Sequence, residues 1–437
     1  MTSPFQITVE SPESWQRIIK VQVPRAEYDR QYQQRLTAAA RDHKRPGFRK
    51  GKTPRSMVEK ELGGRLRAET FEGLVPQAYR AAVVEHRLYP ITEPQLENLV
   101  FDDDKDLAFD LKVEVRPEVE ARDYEGLPLE ERQVEISDAE VDEVLGRLRD
   151  SRAVYEPVDR AAADGDQVSL DLVPLGDDGE AQEERRMNGQ RLVLGGETNL
   201  PAFNEALQGA TAGQDLEISV PYPDDYPSEE LRGRTVVFAC HVAAVEAKVT
   251  PELDDAFASG LQEGQTLLEL RGRIREGLES EARKRVAQDL DDQVLDRLIE
   301  RNEVPVPPSM LEAWLRSGVQ ELRQRAAQMG REMSESDVAE YREAARPAAE
   351  RQIKGMFLLE AVRRQENLEV TDEDLAERVA AIAAEHGFDL DKYREFVEKG
   401  EEKDRIRHDL LERRAYDLLL SRAAITAQAA EADEDRG

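Results

Sequence analysis

The chain has 437 residues, length for about three domains. Its 61 Lys and Arg stand against 93 Asp and Glu, a formal charge of −32, so its surface as a whole will not coat DNA, RNA or anionic lipid. Charged residues make up 35% and aromatics only 5%, which points to long charge-laced helices over modest cores, while the one cysteine, Cys240, excludes an internal disulfide framework and a cysteine-rich zinc site.

The N-terminal residues carry neither a basic run nor an apolar stretch of the secretory kind. No run of about 18 apolar residues occurs, so a membrane span is not expected and the cytoplasm is the expected location. Residues 1–117 read as an α+β head. Phe5, Ile7 and Val9 alternate, and residues 18–23 form a second strand pattern. Pro24 opens a helix with Tyr28, Tyr32, Leu36 and Ala40 at four-residue spacing. A second helix is expected from Thr53 as N-cap and Pro54 as first helical residue. Residues 107–115 alternate again.

Residues 118–157 read as a linker containing a helix. That helix starts at a capping box of Ser137 and Glu140, carries Val141, Val144, Leu145 and Leu148, and breaks at 155–158. From 158 to 247 glycine and proline rise, and residues 168–172, 216–220 and 236–242 alternate between turn signals. This is a compact, mostly β module. Residues 248–428 read as all-α. Thr266 and Glu269 form a capping box before a helix that extends through Leu298, residues 304–308 (Val-Pro-Val-Pro-Pro) stop it, and Ser309 with Glu312 is expected to cap the next. Further starts fall at Ser334 or Ser336 and at Thr371. Residues 429–437 read as an acidic disordered tail.

Charge is uneven. Between Arg35 and Arg67 stand eleven Lys or Arg and three acids, Asp42, Glu59 and Glu61. The centre runs Lys44-Arg45-Pro46-Gly47-Phe48-Arg49-Lys50-Gly51-Lys52-Thr53-Pro54. Pro46, Gly47 and Gly51 are turn formers, so this is a loop tip between two helices. Phe48 is either an apolar anchor ringed by cations, suited to a surface of RNA phosphate and protein, or a ring folded back on its own helices.

The octamer Gly47-Phe48-Arg49-Lys50-Gly51-Lys52-Thr53-Pro54 resembles the ribosome-docking signature of the trigger factor family of bacterial ribosome-associated chaperones. The likeness extends along nearly the whole chain, through Val304-Pro305-Val306-Pro307. It implies that Gly47, Phe48, Arg49, Lys50, Gly51 and Lys52 form the ribosome-binding loop. It further implies that Phe48, Arg49 and Lys50 contact the large ribosomal subunit beside the peptide exit, and that nascent and unfolded polypeptides are the clients. Assistance to protein export and a link to cell division are also implied by the family, and a homodimer off the ribosome is left open.

Residues 192–209 resemble the FK506-binding-protein (FKBP) fold, in which a short helix sets an aliphatic and an aromatic residue in the floor of a prolyl isomerase pocket. By that likeness Leu200 and Phe203 are pocket residues, Tyr226 comes from a flanking loop and Phe238 from the last strand. Such a pocket needs no acid, base or nucleophile. The barrier is amide resonance, about 18–20 kcal/mol, and a dry apolar bowl favours the twisted amide. Two departures are visible. Leu172 stands where family members usually carry an aromatic, and residues 181–187 (Ala-Gln-Glu-Glu-Arg-Arg-Met) are charged where an aromatic segment is usual. Weak isomerase activity is therefore expected, against the alternative that these rings are plain core.

In the helical part Met310, Leu311, Trp314 and Leu315 lie on one helix face, Met329 and Met333 add thioethers, and Met356 and Phe357 head another dense patch. These are either client-binding patches or bundle core. The five histidines lack metal-ligand spacing and no phosphate loop occurs, so no metal, nucleotide or other cofactor is expected. The expected function is an ATP-independent chaperone at the ribosomal exit with a weak prolyl isomerase module. The alternatives are a dedicated prolyl isomerase with helical oligomerisation arms, and an RNA-binding scaffold using the basic loop.

Overall fold

The computed structural model describes residues 4–46, 48–101, 106–176, 179–196, 199–223 and 231–428. Two compact units emerge. Among the described residues, one joins the chain up to Arg132 with residues 286–428, and the other comprises Gln133–Arg285.

The first unit opens with β1 (Gln6–Glu13), β2 (Gln16–Val23), α1 (Arg25–Asp42), α2 (Arg55–Glu85), β3 (Gln95–Val100) and β4 (Leu107–Glu114). The four strands form an antiparallel sheet in the order β1-β2-β4-β3. Strict alternation in β4 buries Leu107, Phe109, Leu111 and Val113 on one face. They share a core with Tyr28, Tyr32 and Leu36 of α1 and Val58, Leu66, Leu74 and Ala78 of α2. The expected Thr53 cap does not form. Pro54 is extended (ψ 137°) and is itself the N-cap, its carbonyl accepting from the amides of Met57 and Val58, so the helix starts one residue later. Thr53 turns inward instead, and its buried hydroxyl has no partner.

After β5 (Pro128–Arg132) the second unit begins with α3 (Asp138–Ser151), closed by the reciprocal Ser137–Glu140 box. Residues 155–158, read as a helix breaker, lie mostly in a strand, β6 (Val154–Pro157). Then follow β7 (Gln167–Pro174), β8 (Met187–Val193), α4 (Pro201–Leu207), β9 (Asp215–Pro221) and the 15-residue β10 (Thr235–Val249). β10 organises this antiparallel sheet. It pairs with β7 from Phe238 to Glu246, with β9 through Thr235–His241 and with β6 through Glu246–Val249. β8 extends the sheet beside β7. α5 (Asp255–Leu261) and the first turns of α6 (Leu267–Arg301) pack Phe257, Ala258 and Leu270 against Val141 and Leu145 of α3.

Later turns of α6 belong to the first unit and supply Leu290, Val294 and Leu298 to its larger core. The chain continues as α7 (Pro308–Gln328), α8 (Glu335–Gln365), α9 (Asp372–His386), α10 (Leu390–Lys399), α11 (Glu402–Ser421) and β11 (Ala424–Gln428). Ser334 and Thr371 open α8 and α9 with capping boxes to Asp337 and Asp374. Ser309 does not cap α7. Pro307 is the N-cap with Pro308 at the first helical position, and the Ser309 amide donates to Glu114 Oε2 at 3.0 Å while its buried hydroxyl has no partner. Where α6 meets α8, Gly355 allows a close approach, since a Cβ there would stand 2.5 Å from a Leu295 methyl and the leucine side chain would have to shift. The helical region closes on a strand, with β11 running parallel to β5 from Ala424 opposite Pro128 to Gln428 opposite Arg132. The expected tail 429–437 lies outside the described residues.

Candidate functional site

α1 ends at Asp42 and α2 begins at Arg55, and the basic loop is the connection between them. Its base is closed by the backbone. The Gly51 amide donates to the His43 carbonyl at 3.2 Å. Gly51 has φ +73°, and a Cβ there would lie 2.7 Å from the Arg41 carbonyl oxygen, so only glycine fits both the conformation and the approach. Within this neck two short turns follow, with Phe48 N–H donating to Arg45 O at 3.1 Å and Lys52 N–H to Arg49 O at 2.9 Å. Phe48 is 41% exposed at the tip and does not enter the core below. Gly47 lies outside the described residues.

The cations divide into two sets. Lys50 Nζ sits 2.9 Å from Asp42 Oδ1, and this hydrogen bond holds the Asp42 carboxyl below its ordinary range. Arg45 and His43 both approach Glu61 of α2, at 3.5 and 3.3 Å. Lys44, Arg49 and Lys52 make no ion pair among the described residues. The result is an exposed ring, beside cations that make no ion pair among the described residues, on a tip whose neck is closed by the Gly51–His43 hydrogen bond. That suits a mixed surface of phosphate and apolar protein.

The second constellation lies on the β10 sheet. Phe238 and Leu172 are buried, from neighbouring strands β10 and β7, and Leu172 sits opposite Cys240 in the ladder. α4 carries Phe203, with Leu200 as its N-cap and Pro201 at its first position. Phe203 and Phe238 meet at 6.0 Å between ring centroids, tilted by 42°. Leu200 is half-buried and packs against the same cluster. Two asparagines not singled out in the sequence hold this floor. Asn204 Oδ1 accepts from the Gly195 amide (3.2 Å) and from Asn199 Nδ2 (2.9 Å), and Asn199 also donates to Val193 O at 2.6 Å. They pin α4 to the turn after β8. An asparagine just before a Pro-initiated short helix was their only sequence signal. A second pair, Arg160 and Asp166, is bidentate at 2.6 and 2.9 Å, and the buried Asp166 also accepts from the Ala163 amide.

Residues 181–187 form a bridge at Ala181 and a single 3₁₀ turn at Glu183–Arg185, largely exposed and closed by an Arg186–Glu183 ion pair, with no ring to offer. Tyr226 lies outside the described residues. Burial pushes the Cys240 thiol up to about 11, so it is an inert core group rather than a nucleophile.

The helical stripes, read either as client-binding patches or as bundle core, pack into core. Leu311, Leu315 and Phe357 are buried in the larger core, and Met310, Trp314 and Met356 pack partly buried against it. Their spacing is the ordinary inner face of a helix. Open apolar groups of this region lie elsewhere and include Leu268 on α6, Met329 at the end of α7, and Phe388 and Phe396 flanking Tyr393 at 5.5 and 6.2 Å between centroids. The head adds Tyr89, Ile91, Leu96, Leu99 and Val100. Among the described residues no helix is long and apolar enough to cross a membrane.

Known proteins match the chain along most of its length. Residues 5–148 match the family described as "Bacterial trigger factor protein (TF)", residues 266–421 its C-terminus, and residues 158–243 the "FKBP-type peptidyl-prolyl cis-trans isomerase" family. The chain is 34% identical over 426 residues to the trigger factor of Chromohalobacter salexigens, covering 96% of this chain and 93% of that protein. It is 32% identical over 415 residues to that of Koribacter versatilis, covering 93% and 94%. A solved structure described as "Promiscuous Substrate Recognition in Folding and Assembly Activities of the Trigger Factor Chaperone" shares the fold, with a TM-score of 0.51 and 21% identity over 95% of this chain and 99% of that one. The chain thus belongs to the trigger factor family, ribosome-associated chaperones that interact with nascent chains and carry an FKBP-type peptidyl-prolyl cis-trans isomerase domain.

Proposed function

We propose that this chaperone docks at the large ribosomal subunit beside the peptide exit, in the cytoplasm, through Phe48, Arg49 and Lys50, with Lys44 and Lys52 as supporting charge and Gly47 and Gly51 as turn residues. The observation that carries this reading is Phe48, an exposed ring at the tip of a basic loop in a chain of charge −32. An apolar ring costs free energy in water and gains it in a pocket, while free cations steer the loop to phosphate.

Nascent polypeptide is held on dispersed apolar groups such as Met329, Phe388 and Phe396 and on the open residues of the head. Each contact is small, so each is reversible, and release needs no nucleotide. Off the ribosome the same groups are free to pair two copies of the chain. The isomerase pocket, built from Leu172, Leu200, Phe203 and Phe238 with Tyr226 from the flanking loop, turns over slowly because its outer wall is charged.

The test is co-sedimentation with ribosomes. Wild type pellets with ribosomes, and Phe48→Ala/Arg49→Ala/Lys50→Ala stays in the supernatant with an unchanged thermal unfolding profile. Undiminished pelleting of the triple variant would reject the loop as the docking element.

A further inference from the structure

The basic loop is not a uniform patch of charge. Only three acids stand between Arg35 and Arg67, and each is already engaged. Glu59 accepts from the Tyr32 hydroxyl at 3.2 Å, Glu61 faces Arg45 and His43, and Asp42 holds Lys50 at 2.9 Å. The Lys50–Asp42 contact is built by the neck of the loop. Because the Gly51 amide bonds to the His43 carbonyl, the outgoing chain runs beside the incoming one, and residue 50 is brought alongside residue 42. Both side chains remain open to solvent, so the partner of Lys50 can be exchanged without unfolding anything.

We propose that Asp42 is an internal competitor for the anion that Lys50 takes up on docking. Lys50 leaves the Asp42 carboxylate for a phosphate of ribosomal RNA, and Asp42 thereby sets the affinity and the salt sensitivity of the chaperone for the ribosome. This rests on the reading of the loop as the docking element. Phosphate is the favoured acceptor because Lys44, Arg49 and Lys52, which make no ion pair among the described residues, lie in the same loop and give it a field suited to a polyanion. Two effects act in the same direction. The existing ion pair must be given up, and the carboxylate left behind repels the incoming phosphate. Asp42 therefore weakens docking, which favours exchange on and off the ribosome.

The experiment is a double-mutant cycle on the full chain. Ribosome affinity is measured over a salt series for wild type, Asp42→Asn, Lys50→Ala and the combination. Asp42→Asn is expected to tighten binding about two- to fivefold, the size of an exposed ion pair. It should also steepen the dependence of log affinity on log salt by up to about one unit. Lys50→Ala should weaken binding and flatten that dependence, and on the Lys50→Ala background Asp42→Asn should lose most of its effect. Unchanged or weaker binding by Asp42→Asn overturns the proposal. So does equal tightening with and without Lys50, which would mean long-range charge alone. Tightening with an unchanged salt slope would place Lys50 on a protein carboxylate and overturn the exchange onto RNA. Failure of the docking reading has a different signature, undiminished binding by the Phe48/Arg49/Lys50 triple variant.

Discussion

At Gly51 one residue decides the form of the loop. A side chain there meets both a disfavoured backbone conformation and the Arg41 carbonyl at 2.7 Å. Gly51→Ala is expected to cost about 1–3 kcal/mol locally and to open the neck. Ribosome affinity should fall about tenfold while the sheet core stays folded, as read by titration alongside circular dichroism. Asp166 is a different case, a buried carboxylate whose pKa is depressed chiefly by the Arg160 hydrogen bond. Its folded value lies below its unfolded one, so its stabilisation is complete above the unfolded value of about 4 and is lost as pH falls through the folded value. Asp166→Asn should therefore cost about 2 kcal/mol at pH 7, and the gap to wild type should close only below about pH 4 in urea titrations. The loop between α1 and α2 was legible in the sequence because its turn residues are local. The roles of Thr53 and Ser309 were not. Each adjoins proline, and the chain turned their hydroxyls inward where a capping rule placed them outward.

The elements that were legible are those with an unequal environment. β4 alternates because one face is buried, and the capping boxes at Ser137, Thr266 and Thr371 stand beside clear apolar stripes. β3 and β11 are exposed at every position, and β8 at most, so no hydrophobic period marked them. The α7 stripe was visible but its direction was not, since a client face and a core face have the same spacing. Leu315 is fully buried in the core, which settles the direction for that helix. The isomerase floor belongs to this scale too, because α4 is seven residues long and is fixed by Asn199 and Asn204. Phe203→Ala removes one of the two facing rings. It should lower proline-peptide turnover about tenfold from an already slow wild-type rate, with the sheet intact, in a coupled isomerisation assay. Equal turnover by the two proteins would show that the rings serve only as core.

For the whole chain, the separation of roles is electrostatic. The whole chain carries a net charge of −32, while eleven Lys and Arg against three acids stand between Arg35 and Arg67, so positive charge is concentrated around one loop. The two compact units share α6, a 35-residue helix whose first turns feed one core and whose later turns feed another. That division was only partly legible. The length of α6 followed from its apolar period, but the return of the chain from Val286 to join the head required tertiary contacts 150 residues apart in sequence and more. Docking through the loop requires that the ring at position 48 touch the ribosome. The most direct measurement places a photoactivatable benzoylphenylalanine at position 48, irradiates the chaperone with purified ribosomes and identifies the adducts by mass spectrometry. Adducts with large-subunit components bordering the peptide exit are expected, and they are lost when the loop cations are replaced. Adducts confined to the small subunit, or none from a chaperone that still pellets with ribosomes, would contradict docking through the loop.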